Sequence, residues 1–200
     1  EGSKLKTGNL EHSDWKRVNE AISRLSNTKI YIDDTAGQTV GEIRSKCRKL
    51  ATSPSGLDIV VIDYLTLIQG TSKNGANRQQ EVADISRALK TMAMELNIPV
   101  IALAQLSRAV DSRENKRPLM SDLRESGSIE QDADKVIMLY RDEYYATEKE
   151  DGPTEMERPA INEAEFIIAK NRHGPTTTVK VAWNGDYTLF SNLETIRNDM

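Results

Sequence analysis

A run of β-branched residues, Ile59 to Ile62, constrains the fold of this chain more than any other feature. The run does not alternate with polar residues, so it is typical of a strand covered on both faces in a parallel sheet. Asp63 ends it. Open α/β sheets bind ligands beyond the carboxyl ends of their strands, and an Asp there commonly holds Mg²⁺ in phosphate-handling folds. The run therefore predicts an α/β fold and makes Asp63 a candidate metal ligand, with a solvated strand end as the alternative.

A second apolar strand, Val100 to Ala104, follows a long amphipathic helix predicted from Arg78 to Asn97. The apolar face of that helix consists of Val82, Ile85, Leu89, Met92 and Leu96. Two strands joined by a crossover helix form a βαβ unit, so Asp63 and Gln105 should emerge at the same sheet edge. The Gln105 amide there can hydrogen-bond a phosphate oxygen and relay its presence to the following loop; a Gln bonded to backbone is an equal alternative.

A shorter strand is predicted at Lys29 to Ile32 and ends in Asp33 and Asp34. These acids are rivals of Asp63 for a metal ion. Because they lead into Thr35-Ala36-Gly37, turn chemistry is the more common role for such a pair.

Composition limits the class of protein. The chain has 200 residues, 38% of them hydrophobic, which is enough for one sizeable core. We expect neither a membrane-spanning segment nor a signal peptide, because no stretch has the required apolar length. The single cysteine, Cys47, excludes disulfide and cysteine-based zinc frameworks, and it favours a cytoplasmic setting.

The net charge of −4 is concentrated in one segment. Residues 142–165 carry nine acidic and two basic side chains, so the rest of the chain has a net charge of about +3. The part of this segment that contains Pro153 and Pro159, before the strand predicted from Ala164, is predicted to be a solvated loop. The segment from Ser107 to Arg124 is mildly basic. Charge therefore permits a nucleic-acid partner without requiring one.

Residues 107–133 have no hydrophobic periodicity, which in a compact domain indicates a functional or disordered loop. Arg124, Glu125 and Gly127 lie in this loop among small hydroxyl side chains. A guanidinium, hydroxyls and a glycine suit contact with a sugar-phosphate backbone without base readout. No aromatic residue lies between Ser107 and Ile129, so we do not expect base stacking.

The last third of the chain predicts antiparallel hairpins, with strands at residues 164–169, 176–183 and 187–190. Lys170 and Arg172 lie at a strand end and a hairpin tip, two positions apart, so their side chains can point the same way. Two cations on a rigid tip could clamp an anion. Solvated turn residues are the more common finding for an isolated pair of this kind.

Several stretches closely resemble, in the same order, the replicative hexameric DNA helicases of the DnaB type. They read IVVIDYLTLI, RQQEVADISRALK, IALAQLSR, MSDLRESGSIEQDADKVIMLYRD and IIAKNRHGP. The resemblance implies a RecA-like ATPase domain with a mostly parallel sheet flanked by helices and antiparallel strands at the C-terminal end. It also implies a hexameric ring that binds ATP and Mg²⁺ between neighbouring subunits and moves along single-stranded DNA. The partners expected from the family are primase and a helicase loader.

The resemblance carries over to individual positions of this sequence. Asp63 resembles the Walker B acid that coordinates Mg²⁺, and Gln105 resembles the sensor of the γ-phosphate. Lys170 and Arg172 resemble the basic finger pair that completes the neighbour's site, where the transferring phosphoryl group needs cationic stabilisation. The loop positions that resemble those gripping the DNA backbone are Arg124, Glu125 and Gly127.

The chain departs from the family pattern in two respects. The phosphate loop and the catalytic glutamate that follows it in the family have no counterpart here, so residues 1–200 are expected to be the C-terminal part of the domain. The family's N-terminal scaffold domain has no counterpart either. The hairpin tip has Asn171 and His173 where the family pattern has Gln and Asn, and both cations are retained.

Two alternatives remain open at this point. A RecA-type recombinase or another ring ATPase could share the core, but such proteins lack the DLRESGSIEQDAD loop. A non-catalytic DNA-binding or interaction module could retain the sheet without nucleotide chemistry. A phosphate-loop motif encoded upstream would separate the helicase from the module.

Overall fold

The computed structural model describes residues 2–70, 78–123, 127–146 and 161–193. The α-helices there are α1 (Gly2–Thr7), α2 (His12–Ser26), α3 (Val40–Ala51), α4 (Arg78–Leu96), α5 (Gly127–Asp132) and α6 (Asp142–Ala146). The strands are β1 (Val60–Ile62), β2 (Val100–Ala102), β3 (Lys135–Tyr140), β4 (Ile161–Asn171), β5 (Thr177–Asn184) and β6 (Leu189–Asn192). The chain divides into two compact units, one made of residues 32–136 and 169–175 and the other of residues 1–31, 137–168 and 176–200.

The first unit contains the predicted βαβ arrangement. Strands β1 and β2 are parallel, with Val60 opposite Val100 and Ile62 opposite Ala102. The connecting helix α4 buries the predicted face, and its contributions to the core are Val82, Ile85, Leu89 and Met92. The core cluster is completed by Val40 and Cys47 of α3 and by Leu65 and Ile68 after β1.

Only one face of the β1–β2 pair is covered by the described residues. Val60, Ile62 and Val100 pack against the core, while Val61 and Ile101 are 59% and 48% exposed. The expectation that both faces would be covered is therefore wrong for the described part of the chain. Alternate side chains point to opposite faces of a strand, so one set packs and the other stays exposed.

Residues 29–32 do not form the predicted strand. Ile30 and Ile32 are 64% and 88% exposed, and the segment pairs with no strand among the residues that the structure describes. A short segment with isoleucine and tyrosine forms a strand only when another strand pairs with its backbone. The prediction of a strand here was therefore wrong.

The start of α3 follows directly from its sequence. The Thr39 hydroxyl accepts a hydrogen bond from Glu42 N at 3.3 Å, and the Glu42 carboxylate accepts one from Thr39 N at 2.8 Å. This reciprocal pair satisfies two N–H groups that the first helical turn leaves without partners. Further along the same helix, Cys47 is buried in the core.

A four-stranded sheet has the order β3-β4-β5-β6. The β4–β5 and β5–β6 pairs are antiparallel, as predicted, and each observed strand is shifted or extended by a few residues from its predicted bounds. Within the predicted acidic loop, residues 142–146 form α6 and residues 161–163 belong to β4, so its described ends were predicted wrongly. The α/β class, with a parallel pair and antiparallel strands at the C-terminal end, is confirmed.

No helix among the described residues is long and apolar enough to cross a membrane.

Candidate active site

Asp63 lies at the carboxyl end of β1 and is exposed. Leu103 N donates to Ile62 O at 2.9 Å, so the parallel ladder continues to the residue before Asp63. The peptide bond between Asp63 and Tyr64 is cis. Within the described ranges, no side chain forms a hydrogen bond or an ion pair with the Asp63 carboxylate. The carboxylate is therefore accessible at the edge where ligands of α/β sheets bind.

The described residues contain no group of three or more acidic, histidine or cysteine side chains that could hold a metal ion. A single carboxylate still suits Mg²⁺, which proteins bind through one or two carboxylates together with water and substrate phosphates. Asp63 fits that ligand set because its oxygens are exposed and unshared.

The rival acid Asp33 is engaged elsewhere. Its carboxylate accepts hydrogen bonds from the Lys46 ammonium at 2.6 Å and from Thr35 N at 3.2 Å. The Lys46 ammonium holds the pKa of Asp33 well below its usual range. This geometry supports the turn interpretation of Asp33.

Gln105 follows β2 at the same edge as Asp63. The register places Ile62 opposite Ala102, so Asp63 is level with Leu103 and Gln105 is two residues further along. Gln105 is exposed. Leu106 pairs with Leu123 in an antiparallel bridge, and Ser107 N donates to Asp122 O at 2.7 Å. The residues next to Gln105 are thus joined to the end of the loop that precedes Arg124.

Of the predicted loop 107–133, residues 107–123 form a loop with internal hydrogen bonds, whereas residues 127–132 form α5 and were predicted wrongly. Asp122 is only 5% exposed, and its carboxylate accepts hydrogen bonds from Arg113 and from Leu119 N, both at 2.7 Å. Two residues of the loop, Val110 and Leu123, are buried. A nearly buried carboxylate that is paired and hydrogen-bonded holds the two halves of the loop together.

The three predicted DNA-binding positions lie at the end of this loop. Arg124 and Glu125 are outside the described residues. Gly127 is exposed and is the first residue of α5, where an added Cβ would meet nothing within 4 Å. The described fold therefore does not itself require glycine at this position.

Lys170 and Arg172 both reach the C-terminal end of α5. The Lys170 ammonium donates to Glu130 O and, at 3.3 Å, to Gln131 O. The Arg172 guanidinium donates to Gln131 O at 3.2 Å. The prediction that these side chains point the same way is confirmed. Cations suit this position because the last carbonyls of a helix lack partners and carry partial negative charge.

The sequence interpretation missed two residues that hold the hairpin tip. Asp134 pairs with Arg172 through its carboxylate and accepts a hydrogen bond from Arg172 N through its carbonyl. The Asn171 amide donates to Pro175 O at 3.1 Å and lies beneath Gly174. Asp134 was visible as the last acid of the DLRESGSIEQDAD segment. Nothing in the sequence pattern distinguished it from a solvated acid.

The structure thus brings the predicted residues together in two pairs. Asp63 and Gln105 share one edge of the parallel strands, and Lys170 and Arg172 share the end of α5. Among the described residues, no hydrogen bond or ion pair joins one pair to the other.

Comparison with known proteins identifies close relatives. The chain is 55% identical over 190 residues to the replicative DNA helicase DnaC of Bacillus subtilis (strain 168). It is 54% identical over 190 residues to the replicative DNA helicase DnaB of Geobacillus stearothermophilus. Each alignment covers 95% of this chain and 40% of the relative, so the chain spans less than half the length of these proteins.

Solved structures agree with these relatives. A solved ATPase domain superposes on this chain with a TM-score of 0.83 at 45% identity, covering 96% of this chain and 65% of that one. A structure of a DnaB-like replicative helicase and its interactions with primase gives the same TM-score and identity and is covered to 45%. The family model described as the DnaB-like helicase C terminal domain matches residues 1–192. The chain therefore belongs to the DnaB-like helicase C-terminal domain family, with a RecA-like ATPase fold.

Proposed function

We propose that this chain is the C-terminal part of the ATPase domain of a replicative DNA helicase subunit. The subunits form a hexameric ring that hydrolyses ATP, moves along single-stranded DNA and unwinds the duplex at replication forks. The names of the relatives and the solved ATPase domain support this function. Nothing in the described residues or the relatives favours a recombinase or a non-catalytic module.

One observation carries the proposal. Strands β1 and β2 are parallel, Asp63 directly follows β1 and Gln105 lies three residues after β2, so both residues follow the same end of the pair. An acid and an amide at the carboxyl ends of neighbouring parallel strands suit a nucleotide triphosphate with its cation. In this proposal, Asp63 holds Mg²⁺ directly or through water, and the bound ion supplies neutralisation of phosphate charge.

The remaining residues act on the phosphoryl group and the DNA. Gln105 donates from its amide to an oxygen of the transferring phosphate. Lys170 and Arg172 stabilise the charge that develops on that phosphate in the neighbouring subunit's site. The backbone of Arg124, Glu125 and Gly127 follows the DNA strand, and the Arg124 guanidinium pairs with phosphate. The Leu106–Leu123 bridge supports a link between Gln105 and this loop.

The partners follow from the same proposal. One of the similar solved structures is of a DnaB-like replicative helicase and its interactions with primase. On that basis we propose primase as a partner of this protein. We also propose a helicase loader as a partner, because a ring must be placed on DNA before it can travel along it. We propose a cytoplasmic location because the chain has a single cysteine, Cys47.

The test is Asp63→Asn in rings of full-length subunits that carry this sequence. The change removes one charge and almost no volume, so turnover of ATP should be abolished while thermal unfolding is unchanged. Asp58→Asn is the matched control, because Asp58 is also exposed but precedes β1 at the opposite edge. The rate of DNA-stimulated ATP hydrolysis is measured for both variants. Unchanged turnover in Asp63→Asn would contradict the metal role, and equal loss in both variants would point to a general effect of the strand.

A further inference from the structure

Asp134 stands between two cations from different parts of the first unit. Its carboxylate accepts a hydrogen bond from the Lys90 ammonium through Oδ2, at 2.5 Å. Its other oxygen, Oδ1, lies 3.3 Å from a terminal nitrogen of the Arg172 guanidinium. The two oxygens of one carboxylate thus engage a cation of α4 and a cation of the hairpin tip.

Arg172 is oriented by both ends of its side chain. Its backbone N–H donates to Asp134 O at 2.8 Å, which anchors the tip beside Asp134. Its two terminal nitrogens then divide their contacts, one facing Asp134 Oδ1 and the other donating to Gln131 O. A planar guanidinium held at two nitrogens has a defined plane and direction. Asp134 supplies the charged member of these two contacts.

Lys90 holds the Asp134 carboxylate in place through a hydrogen bond from its ammonium group. Its hydrogen bond is the largest cause that lowers the pKa of Asp134, followed by the charges of Lys90, Arg172 and His173. Lys90 lies on α4, the helix that joins the Asp63 strand to the Gln105 strand. The support of Arg172 therefore comes from the helix that connects the two strands of the proposed nucleotide edge.

We propose that Asp134 is a positioning residue that sets the direction of the Arg172 guanidinium, with Lys90 as its support. The inference rests on the proposed function of Arg172 as a finger for the neighbouring site. Asp134 does not touch the phosphate in this scheme. It acts by limiting the orientations from which Arg172 reaches across the subunit boundary.

The solvent exposure of Asp134 and Arg172 indicates that their ion pair positions Arg172 more than it stabilises the fold. The side chains of Asp134 and Arg172 are 41% and 46% exposed, and ion pairs with that much solvent contribute little to folding. Misplacement of a catalytic group by about 1 Å can cost roughly 100-fold in rate. Loss of the Asp134 charge should therefore change turnover far more than stability.

The first measurement is Asp134→Asn in full-length rings. The substitution leaves the backbone carbonyl of residue 134 in place, so it can still accept the hydrogen bond from Arg172 N. Only the negative charge of the side chain is lost. We expect kcat for ATP to fall by roughly 10-fold to 100-fold. KM for ATP and the thermal unfolding temperature should remain unchanged, because the subunit's own nucleotide edge is intact. Asp134→Glu, which retains the charge, should recover part of the lost rate.

Glu95→Gln is the matched control. Glu95 lies on α4 and, like Asp134, is a carboxylate that pairs with two cations, here Arg44 and Arg48. Its loss should leave kcat near the wild-type value. An equal fall in kcat in Glu95→Gln would overturn the proposal, since any broken ion pair in this unit would then have the same effect.

The double variant Asp134→Asn, Arg172→Ala decides whether Asp134 acts through Arg172. It should turn over ATP no more slowly than Arg172→Ala alone. A further fall would overturn the inference. If Arg172→Ala itself turns over at the wild-type rate, the finger role in the proposed function is wrong. If Arg172→Ala is slow but Asp134→Asn is not, only the inference fails.

Should Asp134→Asn rings not assemble, Lys90→Met provides the same comparison with Asp134 present. Wild-type turnover in Lys90→Met would count against the proposal.

Discussion

Leu106 and Leu123 form an antiparallel bridge that joins the residue after Gln105 to the residue before Arg124. The Arg113–Asp122 pair and the bond from Ser107 N to Asp122 O hold the intervening loop around this bridge. A shift of Gln105 therefore has a path of only a few covalent and hydrogen-bonded steps to the proposed DNA loop. This connection is the structural observation on which we base the proposed link between phosphate state and DNA contact.

The first prediction concerns Arg124. Arg124→Ala in the full-length ring should weaken binding of single-stranded DNA about equally for all sequences, because a phosphate contact reads no base. It should also reduce the slope of log affinity against log salt by about 0.7. Fluorescence anisotropy over a salt series measures both quantities. A loss confined to some sequences, or an unchanged slope, would rule out a phosphate contact.

The second prediction concerns Gly127. Gly127→Ala should leave the free energy of unfolding unchanged or raise it by up to about 1 kcal/mol, because alanine restricts the unfolded chain and suits a helix. An added Cβ meets open space in the described fold. Affinity for single-stranded DNA should nevertheless fall, because the Cβ would separate the backbone from the nucleic acid.

Gly185→Ala is the control for this change. Gly185 lies in the β5–β6 turn, where an added Cβ would make only an ordinary contact at 3.8 Å with Trp183. Its DNA affinity should match the wild type. If Gly127→Ala binds DNA normally and is no less stable, glycine at this position has no role in DNA contact.

The third prediction concerns the core under the β1–β2 pair. Met92 is fully buried on α4, with 0% exposure, whereas Met94 on the same helix is 70% exposed. Met92→Ala should lower the free energy of unfolding by about 2–5 kcal/mol, because it leaves a cavity. Met94→Ala should change it by less than about 0.5 kcal/mol. Urea unfolding followed by circular dichroism gives both values, and similar values would mean that α4 does not pack as described.

The fold was predictable wherever local pattern and packing agree. The spacing of Val82, Ile85, Leu89 and Met92 specified the buried face of α4, and Thr39 with Glu42 specified the start of α3. The failure at residues 29–32 has a different cause. Whether this segment of isoleucine and tyrosine becomes a strand depends on a distant partner strand, and its local pattern does not contain that information.

The candidate site was predictable in position but not in its supports. Asp63 and Gln105 follow from the rule that parallel strands share an edge, and the cation pair follows from strand alternation. The role of Asp134 depends on Lys90, which is 44 residues away in sequence, and on Arg172. Contacts over such separations arise from packing of whole elements, so the sequence alone could not identify Asp134.

The final prediction tests which subunit's site Arg172 serves. Arg172→Ala should leave nucleotide binding largely intact and slow hydrolysis by roughly 10³-fold or more, as other fingers do. The guanidinium contacts Gln131 O and Asp134 at the hairpin tip, and the described residues include no contact from it to Asp63 or Gln105. We therefore expect the loss to arise in the site of the adjacent subunit.

Mixed rings measure this directly. A ring of Arg172→Ala subunits lacks the finger at every site, and a ring of Asp63→Asn subunits lacks the metal ligand at every site. When the two are mixed, an intact site forms wherever the Asp63 of one subunit meets the Arg172 of its neighbour. DNA-stimulated hydrolysis should then exceed that of either parent, once subunit exchange is verified with labelled subunits. If no mixing ratio restores activity, Arg172 acts within its own subunit or only shapes the hairpin, because a finger acting between subunits must produce some complete sites.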